Sequence, residues 1–223
     1  MKPIDMNTWA RREIYGFFLP VSDPFYAVTF PLDVTNLCAY KRARGISFYM
    51  ALCWLCAKAM NDVENFRYVS RGGAVYLHDE RIPSFTDMRP GSDRFYYVTP
   101  PLIDDLDEYC RAAKAYSAAQ DSFIDASLET DALIYISCIP QLAVVSQTFA
   151  HNFSDPGELE NNIPRVSWGK YTQCGGRVTL NVTAEVNHRF VDGIHVARFA
   201  DGLQRRIDLL RPETADALPP ARK

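Results

Sequence analysis

The sequence predicts a single α/β domain, a two-layer sandwich in which helices cover a mixed, largely antiparallel sheet. Three observations predict it. In RVTLNVTAEV (177–186), Val178, Leu180, Val182, Ala184 and Val186 take one face while Thr179, Asn181, Thr183 and Glu185 take the other, the period of a strand. In residues 194–210, Val196, Phe199, Ala200, Leu203, Ile207 and Leu210 form one stripe with Arg198, Asp201 and Arg205 off it, the period of a helix. Elsewhere strands and helices mix without the regular alternation of a doubly wound sheet.

The other elements follow in order. FYAVTFPLDV (25–34) is aromatic and β-branched, as a strand prefers. KRAR (41–44) reads as a solvated turn before a helix. Residues 46–61 are apolar nearly all round, the pattern of a deeply buried helix. AVYLH (74–78) and RFYYVT (94–99) are short strands between Pro- and Gly-bearing turns. Residues 103–120 carry Leu106, Tyr109, Cys110 and Ala113 at helical spacing, and ALIYIS (132–137) is a strand running toward Pro140. The domain is expected to span 1–212, with 213–223 a loosely ordered tail.

Composition narrows the function. Of the 223 residues 48% are apolar, enough for a sizeable core, and the net charge of -3 with no long basic run argues against nucleic acid or an anionic membrane. The opening MKPIDMNTWARRE lacks a signal peptide's apolar stretch, and no apolar run approaches membrane-spanning length. Cys53 and Cys56 form C-x-x-C inside the apolar helix without a second pair to complete a zinc site, so they read as core thiols. A reduced, cytoplasmic protein is expected. The sequons at Asn152 and Asn181 then carry no meaning.

Function concentrates in NHRFVDGIH (187–195), which holds two of the four histidines between the clearest strand and the following helix. Gly193 closes the turn. Residues at such a junction face a cleft while rigid elements hold them. His188, Asp192 and His195 offer three ligand types, but His195 falls inside the helix and no strong ligand pattern is present, so no metal is expected. Asp192 suits a helix N-cap, and His195 reads as a hydrogen-bonded core histidine. For His188, the residues alone leave base and core both open.

H-x-x-x-D-G at a strand-to-helix turn resembles the signature of the CoA-dependent acyltransferases. TWARREIYGFF (8–18), IYISCIP (134–140), PRVSWGKY (164–171) and GIHVARFADGLQ (193–204) resemble, in order, segments of the chloramphenicol acetyltransferase family. The dihydrolipoyl acyltransferases share the motif but carry further upstream segments. The resemblance implies that family's fold and an O-acetyl transfer from acetyl-CoA, the co-substrate, to a hydroxyl of chloramphenicol or a similar small aromatic alcohol. It implies His188 as general base, Ser137 as oxyanion donor, and Asp192 paired with Arg11, the pair and Gly193 supporting the site. It places Phe17, Phe18 and Tyr26 at the acceptor, Ser167 near a transition-state water, and Lys170 and Tyr171 on the CoA side. It implies a homotrimer with active sites between subunits. The polar face of residues 179–185 suits a wet interface of that kind. Asn187 stands where one form of the motif has a first histidine, and Tyr135 where a small polar residue is expected. The acceptor therefore stays open: another hydroxyl acceptor or acyl donor, or a binding protein on the same fold, are the alternatives.

Overall fold

The computed structural model describes residues 1–151 and 162–212. The expected tail at 213–223 and the sequon at Asn152 lie outside the described residues.

A main sheet of seven strands runs in the order β2 (Phe25–Asp33), β10 (Arg177–Asn187), β8 (Arg165–Gly169), β7 (Leu133–Ile139), β5 (Ile82–Met88), β6 (Phe95–Val98), with β9 (Thr172–Cys174) also paired to β10. β7 is parallel to both β5 and β8, and the other pairings are antiparallel. The expected mixed sheet is present. β4 (Ala74–Leu77), expected as a strand, joins β1 (Lys2–Pro3) and β3 (Tyr68–Arg71) in a separate small sheet. Buried Arg81 links the two sheets. Its guanidinium donates to the carbonyls of Phe66 and Tyr68 on one side and of Asp131 and Leu133 on the other.

α3 (Phe48–Asn61), α4 (Leu106–Ala119) and α5 (Gly193–Asp208) form where the apolar spacing places them. Cys53 and Cys56 are fully buried in α3 among the core side chains. Burial pushes both thiols up, so they are inert packing. α5 buries Val196, Phe199, Leu203 and Ile207, and one continuous apolar cluster runs from Tyr15 to Ile207. No helix among the described residues is long and apolar enough to cross a membrane.

KRAR is helical, not a turn: it closes α2 (Thr35–Arg44). Leu37, Cys38 and Tyr40 turn inward, Lys41, Arg42 and Arg44 complement the C-terminal dipole, and Gly45 at φ 66 ends the helix. β5 is a strand despite Pro83. Pro83 pairs with Ile134 of β7, while β6 first joins at Phe85, so the missing N–H falls where that side of β5 has no partner. The polar face of β10 is largely covered within its own chain. Glu185 is 4% exposed, with Phe149 N–H and His151 Nε2 both reaching it, and Thr183 is 1% exposed, its hydroxyl bonded to that of Thr29. Thr179 and Asn181 stay half-buried, and Asn181 donates to Val144 O.

Candidate active site

The histidine turn is built by reciprocal clamps. β10 ends at Asn187, whose side-chain oxygen accepts from Arg189 N–H at 2.9 Å and whose carbonyl accepts from Phe190 and Val191. Asn187 thus holds the turn, as Asn does at such positions. Arg11 precedes the short helix α1 (Arg12–Phe18). Its guanidinium donates to both oxygens of Asp192, at 2.5 and 2.6 Å, and to the carbonyls of His188 and Arg189, each at 2.8 Å. Arg189 answers by donating to the carbonyls of Phe18, Leu19 and Val21 at the far end of α1. Each arginine satisfies carbonyls of the other's segment. Arg12 is exposed.

Asp192 is the residue before α5. Its backbone N–H donates to His195 Nδ1 at 2.9 Å in a capping box at the start of α5, and its carboxylate faces Arg11. The Arg11 hydrogen bonds hold the Asp192 carboxyl below its ordinary value. His195 is buried, and burial lowers its pKa. It is the hydrogen-bonded core histidine the sequence suggests. Gly193 has no positive φ and nothing within 4 Å of where a Cβ would stand.

The His188 ring stacks on Phe18 at 4.1 Å and leans on Tyr26 at 4.6 Å. Nδ1 is enclosed and lies 3.2 Å from Asp192 Oδ1, off the hydrogen-bonding direction. The side chain is nevertheless 35% exposed, so the ring's other nitrogen is the one left to meet a ligand. Tyr26 donates to Val191 O at 3.2 Å, and burial, then the Asp192 charge, push its phenol to about 12. Phe17 is 73% exposed and packs edge-on against Phe18.

Ser137 lies elsewhere. It opens into a cavity of about 950 Å³ at the carboxyl ends of the parallel strands β5, β7 and β8, where ligands of such sheets bind. The lining is rich in aromatic side chains, Tyr49, Phe95, Tyr97, Phe149 and Trp168 among them, and includes Lys170 and Tyr171. Tyr135 also lines it, its hydroxyl on Glu129 at 2.8 Å. Cys138 lines it too, and burial pushes that thiol to about 12, which removes it as a nucleophile at neutral pH. Ser167 is fully buried beside Ser137 without lining the cavity.

His188, Phe17, Phe18, Tyr26, Arg11 and Asp192 are not among the lining residues. The ladder explains why. Ser137 pairs with Ser167, and Ser167 with Thr183. His188 lies five residues beyond Thr183, so it stands roughly 19 Å from Ser137 across two strand spacings. The residues gathered by sequence therefore form two clusters in one chain.

Sequence reasoning missed Gly169, at the end of β8. A Cβ there would meet Leu142 O at 2.4 Å and Val144 N at 2.7 Å, because the 142–144 segment crosses directly over it. Lys170 N–H donates to Leu142 O at 2.6 Å and fixes that crossing. A glycine at a strand end was the available signal.

A family model described as chloramphenicol acetyltransferase matches residues 1–204. Chloramphenicol acetyltransferase 2 of Escherichia coli is 28% identical over 92% of this chain and 96% of its own. The chloramphenicol acetyltransferase of Streptomyces acrimycini is 27% identical over 91% and 92%. A solved chloramphenicol acetyltransferase superposes with a TM-score of 0.83 over 93% of this chain and 100% of that one, at 24% identity. The cubic core of a pyruvate dehydrogenase complex follows the same fold at a TM-score of 0.63, 18% identical over 87% and 84%. The chain belongs to the chloramphenicol acetyltransferase family, and it is an acetyltransferase that draws on acetyl-CoA.

Proposed function

We propose that the protein transfers acetyl from acetyl-CoA to a hydroxyl of chloramphenicol or a similar small aromatic alcohol. The active unit is a homotrimer in which His188 of one subunit serves the Ser137 cavity of the next. One observation carries this reading: His188 presents a half-open ring roughly 19 Å from Ser137 in its own chain, too far for one acceptor to touch both. Two half-sites of this kind become one site only across a subunit boundary, which cyclic symmetry repeats.

In this reading the acceptor hydroxyl gives its proton to the exposed ring nitrogen of His188 as its oxygen attacks the thioester carbon. The enclosed Nδ1 keeps the ring's own proton, with the Asp192 charge beside it but not hydrogen-bonded to it. The carbonyl becomes an oxyanion, to which Ser137 donates. The C–S bond then breaks, and the imidazolium returns its proton to the CoA thiolate. No cysteine carries the acyl group, in keeping with the buried thiol of Cys138. The aromatic lining suits a flat acceptor ring. Lys170 and Tyr171 stand at the same cavity for the CoA arm. A reducing compartment, the cytoplasm, fits six unpaired thiols.

Mixed assembly tests this. His188→Ala and Ser137→Ala chains, each nearly inactive alone, should recover about a quarter of wild-type CoA release when unfolded and refolded together in equal amounts, the share of interfaces with both residues intact under random cyclic assembly. Recovery no greater than either parent sinks the shared site. A panel of hydroxylated aromatics beginning with chloramphenicol names the acceptor.

A further inference from the structure

Five hydroxyl side chains form one rung across the main sheet. Thr29 pairs with Thr183, Thr183 with Ser167 and Ser167 with Ser137, and Thr86 follows on β5. The rung is not evenly bonded. Thr29 and Thr183 share a hydrogen bond of 2.8 Å, Thr86 Oγ1 and Ser137 Oγ lie 3.3 Å apart, and Ser167 Oγ between the two pairs is enclosed without a partner. Thr86 is therefore the hydroxyl that reaches Ser137, and both open into the cavity.

A serine hydroxyl holds one proton and turns freely. If it gives that proton to Thr86, none is left for a substrate oxyanion. If Thr86 gives its own proton to Ser137 Oγ, the Ser137 proton stays available and more acidic, because a donor that also accepts is polarised. We propose that Thr86 is a positioning residue that donates to Ser137 and so directs the Ser137 proton at the developing oxyanion. The proposal rests on the reading of Ser137 given above. The bond is long in the resting protein and is expected to tighten as charge builds on the carbonyl oxygen, so it acts in the transition state more than in binding. The threonine is held in place for this: its carbonyl accepts from Tyr49 OH at 2.8 Å, which ties this point of β5 to α3.

The experiment is a cycle of Thr86→Val, Thr86→Ser and Ser137→Ala, with thermal transitions recorded for each. Valine keeps the shape and removes the hydroxyl, so kcat should fall about five- to ten-fold with KM for both substrates little changed. Serine restores the hydroxyl and should recover most of the rate. In the Ser137→Ala background, Thr86→Val should have no further effect. If Ser137→Ala lowers kcat but Thr86→Val does not, or if Thr86→Val costs as much without Ser137 as with it, the positioning role is overturned while Ser137 stands. If Ser137→Ala leaves kcat unchanged, the oxyanion reading falls and this one with it.

Discussion

The histidine turn and the serine cavity solve opposite problems. The turn is tied down from every side. Arg11 and Arg189 cross-brace it against α1, Asn187 closes it, and Phe18 and Tyr26 hold the ring. The cavity is open, about 950 Å³ with a wall rich in aromatic side chains above the ends of three parallel strands. In the proposed reaction the base must meet one proton at one distance, and the support of His188 is rigid enough for that. In the same proposal the cavity admits two substrates and releases two products, and gains from room. Rigidity and access are divided between regions that one chain keeps apart.

The contrast is broken most severely by removing His188, the proposed base. His188→Ala should lower turnover by at least about 100-fold while CoA binding remains and the protein stays folded, since the turn's own hydrogen bonds run through Arg11, Asn187 and Arg189 and not through the ring. Binding lost together with rate in calorimetry would place His188 in the cavity's wall instead.

The cross-brace is the next target. Arg11→Ala or Asp192→Ala should each lower activity and melting temperature, and the double variant should cost less than the sum, with a coupling of about 1–3 kcal/mol. Strict additivity in denaturant unfolding would separate the pair. The pH dependence follows from the sign of the shift. Asp192 is held below its ordinary value of 3.8 mainly by Arg11. Its stabilisation is therefore complete above that value and fades as pH falls through the lower, folded one. Wild type should lose its advantage over Asp192→Asn in that acid range.

On the cavity side, Gly169→Ala should displace the 142–144 segment and cost about 1–3 kcal/mol, with KM rising more than kcat falls. An unchanged melting curve would show that the segment yields freely. Smallest of all is Gly193→Ala. The position is open and its backbone ordinary, so stability should move by less than about 0.5 kcal/mol. A large loss of activity without loss of stability would show that this surface is covered in the assembled enzyme.

The sequence made the two regions unequally legible. The turn could be read because strand period, turn and helix stripe meet at His188, and the resemblance to the family brought Arg11 to Asp192. The main strands and three long helices were legible from periodicity for the same reason. α2 was hidden because its ten residues carry a cationic final turn that imitates a loop. β5 was hidden by Pro83, whose harmlessness depends on a neighbouring strand that starts two residues later. Phe18 and Tyr26 were expected at the acceptor, and they pack on the histidine of their own chain. The distance between His188 and Ser137 was not legible at all, because it depends on register and strand order rather than on local pattern. Gly169 was passed over because its constraint comes from a segment some 25 residues earlier in the chain.

The bracing of α1 has a consequence for how the protein fails. A helix of seven residues does not hold itself in water. It persists because Arg189 takes its trailing carbonyls, and Arg11, just ahead of it, grips the histidine turn in return. Fraying at the start of the chain and loosening of the turn are then one event, although the two are some 170 positions apart in sequence. Amide protons of 188–192 should exchange in step with those of α1 and out of step with the body of β10. A protease that nicks the chain ahead of α1 would silence the enzyme with every reacting group intact and the main sheet still folded.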